Sequence, residues 1–329
     1  MRETVEKFCT TIGLNPMLVQ GAGGNISWKD GDTLWVKASG MWMVDAEKKD
    51  IFVPVDLKNI REEIAKHNYS IDMQTLTSSE LRPSIETILH GLMPHRVVLH
   101  VHAVEILPYL VTQNYSKLLN SILEGMYNSA YVGYKNPGPD LAQAISEIFL
   151  RSPETQTLFL QNHGIVVGGN DVDEISRILD DLIDKMSKHS NNIINPCNVV
   201  SVAPPPNGYL PILDNEINNL ALDENCFTHV CKNWALYPDH VVFLGRNSFC
   251  YDNVEEFSSS NVGPDLLFIK GAGVYTLPKF SRAKLDQLRC YYDVIVRLDI
   301  NHKIRTLNDK EIDKLINWDL EKYRIRHTK

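Results

Sequence analysis

Ser78-Ser79-Glu80-Leu81-Arg82-Pro83-Ser84-Ile85-Glu86-Thr87-Ile88-Leu89-His90-Gly91-Leu92-Met93-Pro94-His95-Arg96-Val97-Val98-Leu99-His100-Val101-His102 is the stretch that decides the fold. It reads as a polar turn, an amphipathic helix and a buried strand ending in His-x-His. Pro83 suits a first helical turn, Ile85, Ile88, Leu89 and Leu92 share one helical face, and Gly91 and Pro94 mark the end. Glu86 and His90, four apart on that helix, read as a structural pair. On the strand, side chains alternate faces, so His100 and His102 point one way while Leu99 and Val101 point the other. A lone histidine in such a run is ordinarily a core or surface residue. Two among Val and Leu need partners, because desolvating both without them is costly. They are half of a metal site. A third, His163, follows the apolar run Thr157-Leu158-Phe159-Leu160 and precedes Gly164. With the carboxylate of Glu80, three imidazoles make a His₃ set that leaves one position for a reactive group.

Upstream, Gly21-Ala22-Gly23-Gly24-Asn25 permits unusual backbone angles and leaves amides exposed. It lacks the third glycine and the following helix of a dinucleotide fingerprint, which excludes that function. Ile26-Ser27-Trp28 and Thr33-Leu34-Trp35-Val36-Lys37 read as strands joined around Asp30-Gly31. Ile51 to Val55 is another strand, and residues 57 to 67 are a short polar helix. Three small polar turns, Gly24-Asn25, Ser39-Gly40 and Ser78-Ser79, offer hydroxyl, amide and backbone N–H donors of the kind a phosphate oxygen accepts from. Each alone is equally an ordinary turn. Lys37 either adds charge there or is a solvated strand residue. Further on, 127 to 139 reads as a loop, 141 to 150 as a helix, and Leu158 to Val167 as the strand carrying His163. Asp171 or Asp173 then caps a helix whose Ile175, Ile178, Leu179, Leu182, Ile183 and Met186 follow the 3.6-residue period.

Gly24-Asn25, Ser39-Gly40, Ser78-Ser79-Glu80, His100-Val101-His102 and His163-Gly164, in that order, resemble the class II aldolase/adducin-like family over about residues 10 to 190. Its members include zinc-dependent fuculose- and rhamnulose-phosphate aldolases. Arg82 to Thr87 and Tyr237 to Val242 also look like the aldolase half of long aldolase-dehydrogenase proteins, with no catalytic part assigned to the second segment. The resemblance implies a three-layer αβα fold with a mainly antiparallel central sheet. It implies Zn²⁺ or another divalent metal on His100, His102 and His163, with Glu80 as catalytic acid or base. Asn25, Ser39, Gly40, Ser78 and Ser79 would hold a substrate phosphate. The implied reaction is aldol cleavage of a ketose 1-phosphate into dihydroxyacetone phosphate and a small aldehyde. Epimerisation or decarboxylation of a sugar phosphate, or a non-enzymatic adducin-like scaffold, are the alternatives. Family aldolases assemble as homo-oligomers (tetramers) and take a proton-donor tyrosine from a neighbouring subunit, for which Tyr127, Tyr131 and Tyr134 are candidates.

The 329 residues suffice for one large or two modest domains. A net charge of −8 argues against a nucleic-acid surface while leaving small anions open as substrates. No apolar run reaches membrane-spanning length, the charged start lacks a signal-peptide core, and six scattered cysteines suit a reducing cytoplasm. Cys226, His229 and Cys231 do not form a familiar zinc spacing. The organisation expected is a metal-binding domain over 1–195, a Pro-rich linker over 196–211 and a smaller α/β domain over 212–329. In that last part, Leu267 to Tyr275 echoes Leu158 to Val166 at a shift of 109 (272 − 163 = 109), with Ala272 where the first copy has His163.

Overall fold

The computed structural model describes residues 1–73, 75–189, 202–260, 262–299 and 301–328. Strands β1 (Asn25–Asp30), β2 (Thr33–Lys37), β3 (Phe52–Asp56), β4 (Val97–Val101), β5 (Ser129–Val132), β6 (Thr157–Leu160) and β7 (Gly164–Gly169) form one sheet in the order β3-β2-β1-β4-β7-β6-β5. Its pairings are antiparallel except β5–β6, which is parallel, so the expected mainly antiparallel sheet is a mixed one. The helices of this half are α1 (Arg2–Gly13), α2 (Leu57–Ala65), α3 (Thr87–Leu92), α4 (Leu107–Leu110), α5 (Tyr115–Leu123), α6 (Pro139–Arg151) and α7 (Val172–Ser187).

Strand alternation sorts the side chains into two cores. Leu99, Val101, Phe159 and Ile165 face α1, α5 and α7 through Val5, Leu119, Ile178 and Leu182. Val98, Leu158 and Val166 face α3 and α6 through Leu89 and Ile145, while Val36 and Val55 meet Leu57 and Ile60 of α2. The result is three layers, αβα. Asp56 and Asp171 cap α2 and α7, accepting from the amides of Asn59 and Glu174 at 2.9 Å. Such caps contribute about 1 kcal/mol each.

Three local readings change. Helix α3 starts at Thr87, not Pro83, because Pro83 bridges to Ala38 and the Arg82 carbonyl accepts from the Ser39 amide at 2.9 Å. Residues 82–84 therefore run beside the sheet, and Ile85 and Glu86 turn into the helix. The expected loop over 127 to 139 contains β5, recruited by pairing with β6. The expected continuous strand over Leu158 to Val167 is a hairpin, with Leu160 opposite Gly164 and His163 in its turn.

The second half is built on strands β8 (Leu210–Pro211), β9 (Cys250–Tyr251), β10 (Leu266–Ile269) and β11 (Gly273–Thr276), in the order β8-β11-β10-β9. Its helices are α8 (Asn215–Leu222), α9 (Glu224–Lys232), α10 (Pro238–Leu244), α11 (Val254–Ser259), α12 (Arg282–Val296), α13 (Asp309–Asn317) and α14 (Asp319–His327). Two antiparallel pairings followed by a parallel one repeat the arrangement of β4-β7-β6-β5. Leu160↔Gly164 and Ile269↔Gly273 correspond at the same shift of 109. Residues 190–201, which include the start of the expected linker, lie outside the described residues. Leu210 and Pro211, at that linker's end, belong to the second sheet.

The two halves share one core. Ile217, Leu236, Phe268 and Leu288 belong to the same buried cluster as Leu99 and Ile165. Among the described residues, no helix is long and apolar enough to cross a membrane. Because the apolar interior is continuous, Leu288→Ala is expected to cost about 2–5 kcal/mol and to lower the melting of both halves together. Thermal unfolding followed by circular dichroism, showing one shifted transition rather than two, checks it.

Candidate metal centre

Strand β4 presents His100 on the α3 side of the sheet, and the chain just past its end presents His102 there too. Pairing of Val101 with Ile165 brings the β6–β7 turn, and His163 with it, to the same spot. The three imidazoles are buried, and one nitrogen from each lies within 4.8 Å of the others. Nε2 of His100 and Nε2 of His102 stand 3.1 Å apart. Two nitrogens bound at 2.0–2.1 Å to one tetrahedral ion are about 3.3 Å apart. Nδ1 of His100 faces the Ile165 carbonyl at 2.9 Å, which turns Nε2 inward. Gly164 makes the convergence possible. A Cβ there would meet the Val101 carbonyl oxygen at 2.5 Å, and the rings of His102 and His100 at 2.9 and 3.1 Å.

Burial pushes His102 and His163 down to about 3, against the opposing pull of Asp239 and Glu86 respectively. Both rings are therefore neutral at ordinary pH, the form that binds a divalent metal. The donor set fits such an ion.

The carboxylate facing this cluster is Glu86, not Glu80. Glu86 Oε2 is 3.5 Å from His100 Nε2, and its Oε1 is 3.4 Å from His163 Nε2. Asn25 Nδ2 donates to Oε2 at 2.7 Å, while Oε1 has no hydrogen-bond partner. Glu86 closes the turn immediately before α3, which aims it at the strand ends. It does not pair with His90, whose Nδ1 meets Ser27 Oγ at 2.8 Å. Ser78, Ser79 and Glu80 are exposed and do not line the cavity, a correction to their expected roles. Asn25, Ser39 and Gly40 do line it, together with Ser84 and Lys37.

Lys37 is buried, not solvated. Its Nζ donates to the Met41 carbonyl at 2.6 Å, and burial, then Arg324, lowers it to about 7. None of the three candidate tyrosines lines the cavity. Tyr127 bonds Asp181 on the surface, Tyr131 stacks on Phe159, and Tyr134 lies under the Arg305 guanidinium.

The remaining wall comes from the second half of the chain. Asp239 at the start of α10, with Glu321 and Arg324 of α14, closes a cavity of about 20 Å³. That volume is near the minimum for a single water. Helix α14 lies over Gly40 (φ +80°), where an added Cβ would meet His327 Cβ at 2.9 Å and the Arg324 carbonyl at 3.2 Å. Arg324 grips Asp239 with two bonds of 2.6 Å. Burial opposes ionisation of Asp239, but Arg324 and then His102 outweigh it and hold the carboxyl below its usual range. Burial raises Glu321 to about 7 despite Arg324. Asp239 sits in a segment singled out by resemblance, but nothing local in the sequence marks Glu321 or Arg324.

A family description, "Class II Aldolase and Adducin N-terminal domain", matches residues 5–182. The chain is 24% identical over 200 residues to "Uncharacterized oxidoreductase YuxG" of Bacillus subtilis (strain 168), a match that covers 56% of this chain. It spans only 29% of that relative's length. An N-terminal class II aldolase domain of a conserved protein from Thermoplasma acidophilum aligns at 25% identity and TM-score 0.48, over 57% of this chain and 92% of that one. YgbL of Klebsiella pneumoniae, titled a putative aldolase/epimerase/decarboxylase, aligns at 18% identity and TM-score 0.44, over 57% and 87%. With the family match extending over more than half of its length, the chain belongs to the class II aldolase and adducin N-terminal domain family.

Proposed function

We propose that this protein is a divalent-metal-dependent lyase that cleaves a ketose 1-phosphate reversibly into dihydroxyacetone phosphate and a small aldehyde. One observation carries the reading: three buried imidazoles converge with the free oxygen of a buried carboxylate, Glu86, turned toward them. A divalent cation held by His100, His102 and His163 supplies Lewis-acid stabilisation of negative charge developing on a substrate oxygen.

The chain's own groups do the rest. Glu86 takes the proton of the C4 hydroxyl as the C3–C4 bond breaks, and returns it to C3 after the aldehyde departs. Asn25 holds Oε2 of that carboxylate, which leaves Oε1 for the proton. Ser39, Gly40 and Ser84 offer donors to the phosphate end in place of the expected Ser78 and Ser79, and the Lys37 amino group lines the cavity with them. The closed cavity is too small for a ketose phosphate, so entry requires α14 to lift from Gly40. A groove of about 650 Å³ beyond Ser84 and Ile85, bordered by Trp318 and Leu320 at the start of α14, is the approach. Assembly as a homo-oligomer and a cytoplasmic setting belong to the same proposal.

Screening ketose 1-phosphates for released dihydroxyacetone phosphate tests the reaction. Glu86→Gln is expected to lower kcat by roughly 10²–10⁴-fold with metal retained, whereas Glu80→Gln leaves turnover unchanged. Full activity in Glu86→Gln removes that carboxylate from the chemistry. Dialysis against a chelator is expected to abolish cleavage, and added zinc or another divalent ion to restore it. Purified protein that takes up no metal at all would favour the scaffold alternative.

A further inference from the structure

We propose that Asp239, clamped by Arg324, is the positioning residue for His102, so that the second half of the chain is part of the metal centre. The inference rests on reading His100, His102 and His163 as the ligands. With Nε2 of His102 directed at His100, its Nδ1 points out of the cluster. A metal-binding imidazole carries its proton on the outward nitrogen, and the acceptor there sets the ring's orientation and basicity. His100 has the Ile165 carbonyl for this. His102 Nδ1 is buried with no hydrogen-bond partner, and the atom facing it is Asp239 Oδ2 at 3.5 Å.

Asp239 is fixed independently of His102. Arg324 Nη1 donates to Oδ1 and Nη2 to Oδ2, both at 2.6 Å, and Gln287 Nε2 approaches Oδ2 at 3.5 Å from α12. Aspartate and guanidinium are both buried, so the clamp is shielded from water and salt. The gap between ring and carboxylate is kept by Gly23. A Cβ there would stand 2.9 Å from the Gln20 carbonyl oxygen, 3.0 Å from Asp239 Oδ2 and 3.4 Å from His102 Nδ1. A plain ion pair stapling α10 to α14 would not require the approach to His102.

The test uses the full chain stripped of metal, with zinc affinity measured by competition against a chromogenic chelator and cobalt(II) absorption as the spectroscopic probe. Asp239→Asn is expected to weaken zinc binding about 10–100-fold and to alter the cobalt spectrum. Asp239→Glu, which keeps the charge for Arg324 but displaces the oxygens, is expected to fall between it and the unsubstituted protein. A staple alone would lower the melting temperature of the metal-free protein and leave both metal readouts unmoved, and that result overturns the inference. Should Asp239→Asn not fold, Asp239→Glu decides on the same criteria, and unchanged affinity there is equally fatal. An unsubstituted chain that binds no zinc sinks this inference together with the metal reading of the site. Unchanged affinity in the variants sinks this inference alone. Because affinity and not turnover is read, failure to cleave any ketose phosphate bears on the proposed reaction only.

Discussion

Antiparallel pairing of β4 with β7, in the register that sets Val101 opposite Ile165, is the constraint from which the site follows. It carries a histidine in a hairpin turn to the end of a strand more than sixty positions earlier. A slip by one residue would turn His100 and His102 to the opposite face, toward α1, α5 and α7, and strand Leu99 and Val101 on the other. The hydrocarbon sorting of the two cores forbids that slip. The same apolar side chains that hold the sheet between its helices therefore hold three polar rings in place at the ends of its central strands.

The second half of the chain does more than add bulk. Through α10, α12 and α14 it sends Asp239, Gln287 and Arg324 into the wall behind His102 and lays a helix over Gly40. Gln287 is informative here. It occupies the position in α12 that corresponds to Ile178 in α7, and it is fully buried. The shift of 109 that aligns the two hairpins thus puts a polar residue in α12 where α7 has an apolar one, because α12 faces a polar wall there. Its amide also donates to the Gln20 carbonyl, which ties the glycine-rich stretch to the same wall.

Much of this was legible in the amino-acid order. The His-x-His strand, the Asp-capped helix after Gly169 and the polar turns at Asn25 and Ser39 are local patterns, and their periodicity survives folding. The carboxylate that faces the imidazoles, Glu86, is not the one the motif points to, for a physical reason. Ser78-Ser79-Glu80 has the composition of the motif, while Ser84-Ile85-Glu86 sits where helix periodicity had already claimed the residues. What keeps the helix from starting at Pro83 is contact of Arg82 and Pro83 with Ser39 and Ala38, a tertiary effect with no local signature. Arg324 and Glu321 were equally invisible, since an arginine and a glutamate on a polar helix ordinarily face water.

The second hairpin, Leu266 to Thr276, offers a comparison contained within the molecule. Its strands pair as those of the first hairpin do, through a turn of the same length, with alanine where His163 stands. Nothing in that backbone shape depends on an imidazole. The turn itself therefore does not call for a histidine, which leaves the ring of His163 free for the role proposed above. If the proposed ion is held there, a protein emptied of it should keep this corner intact, like a socket that holds its form between uses.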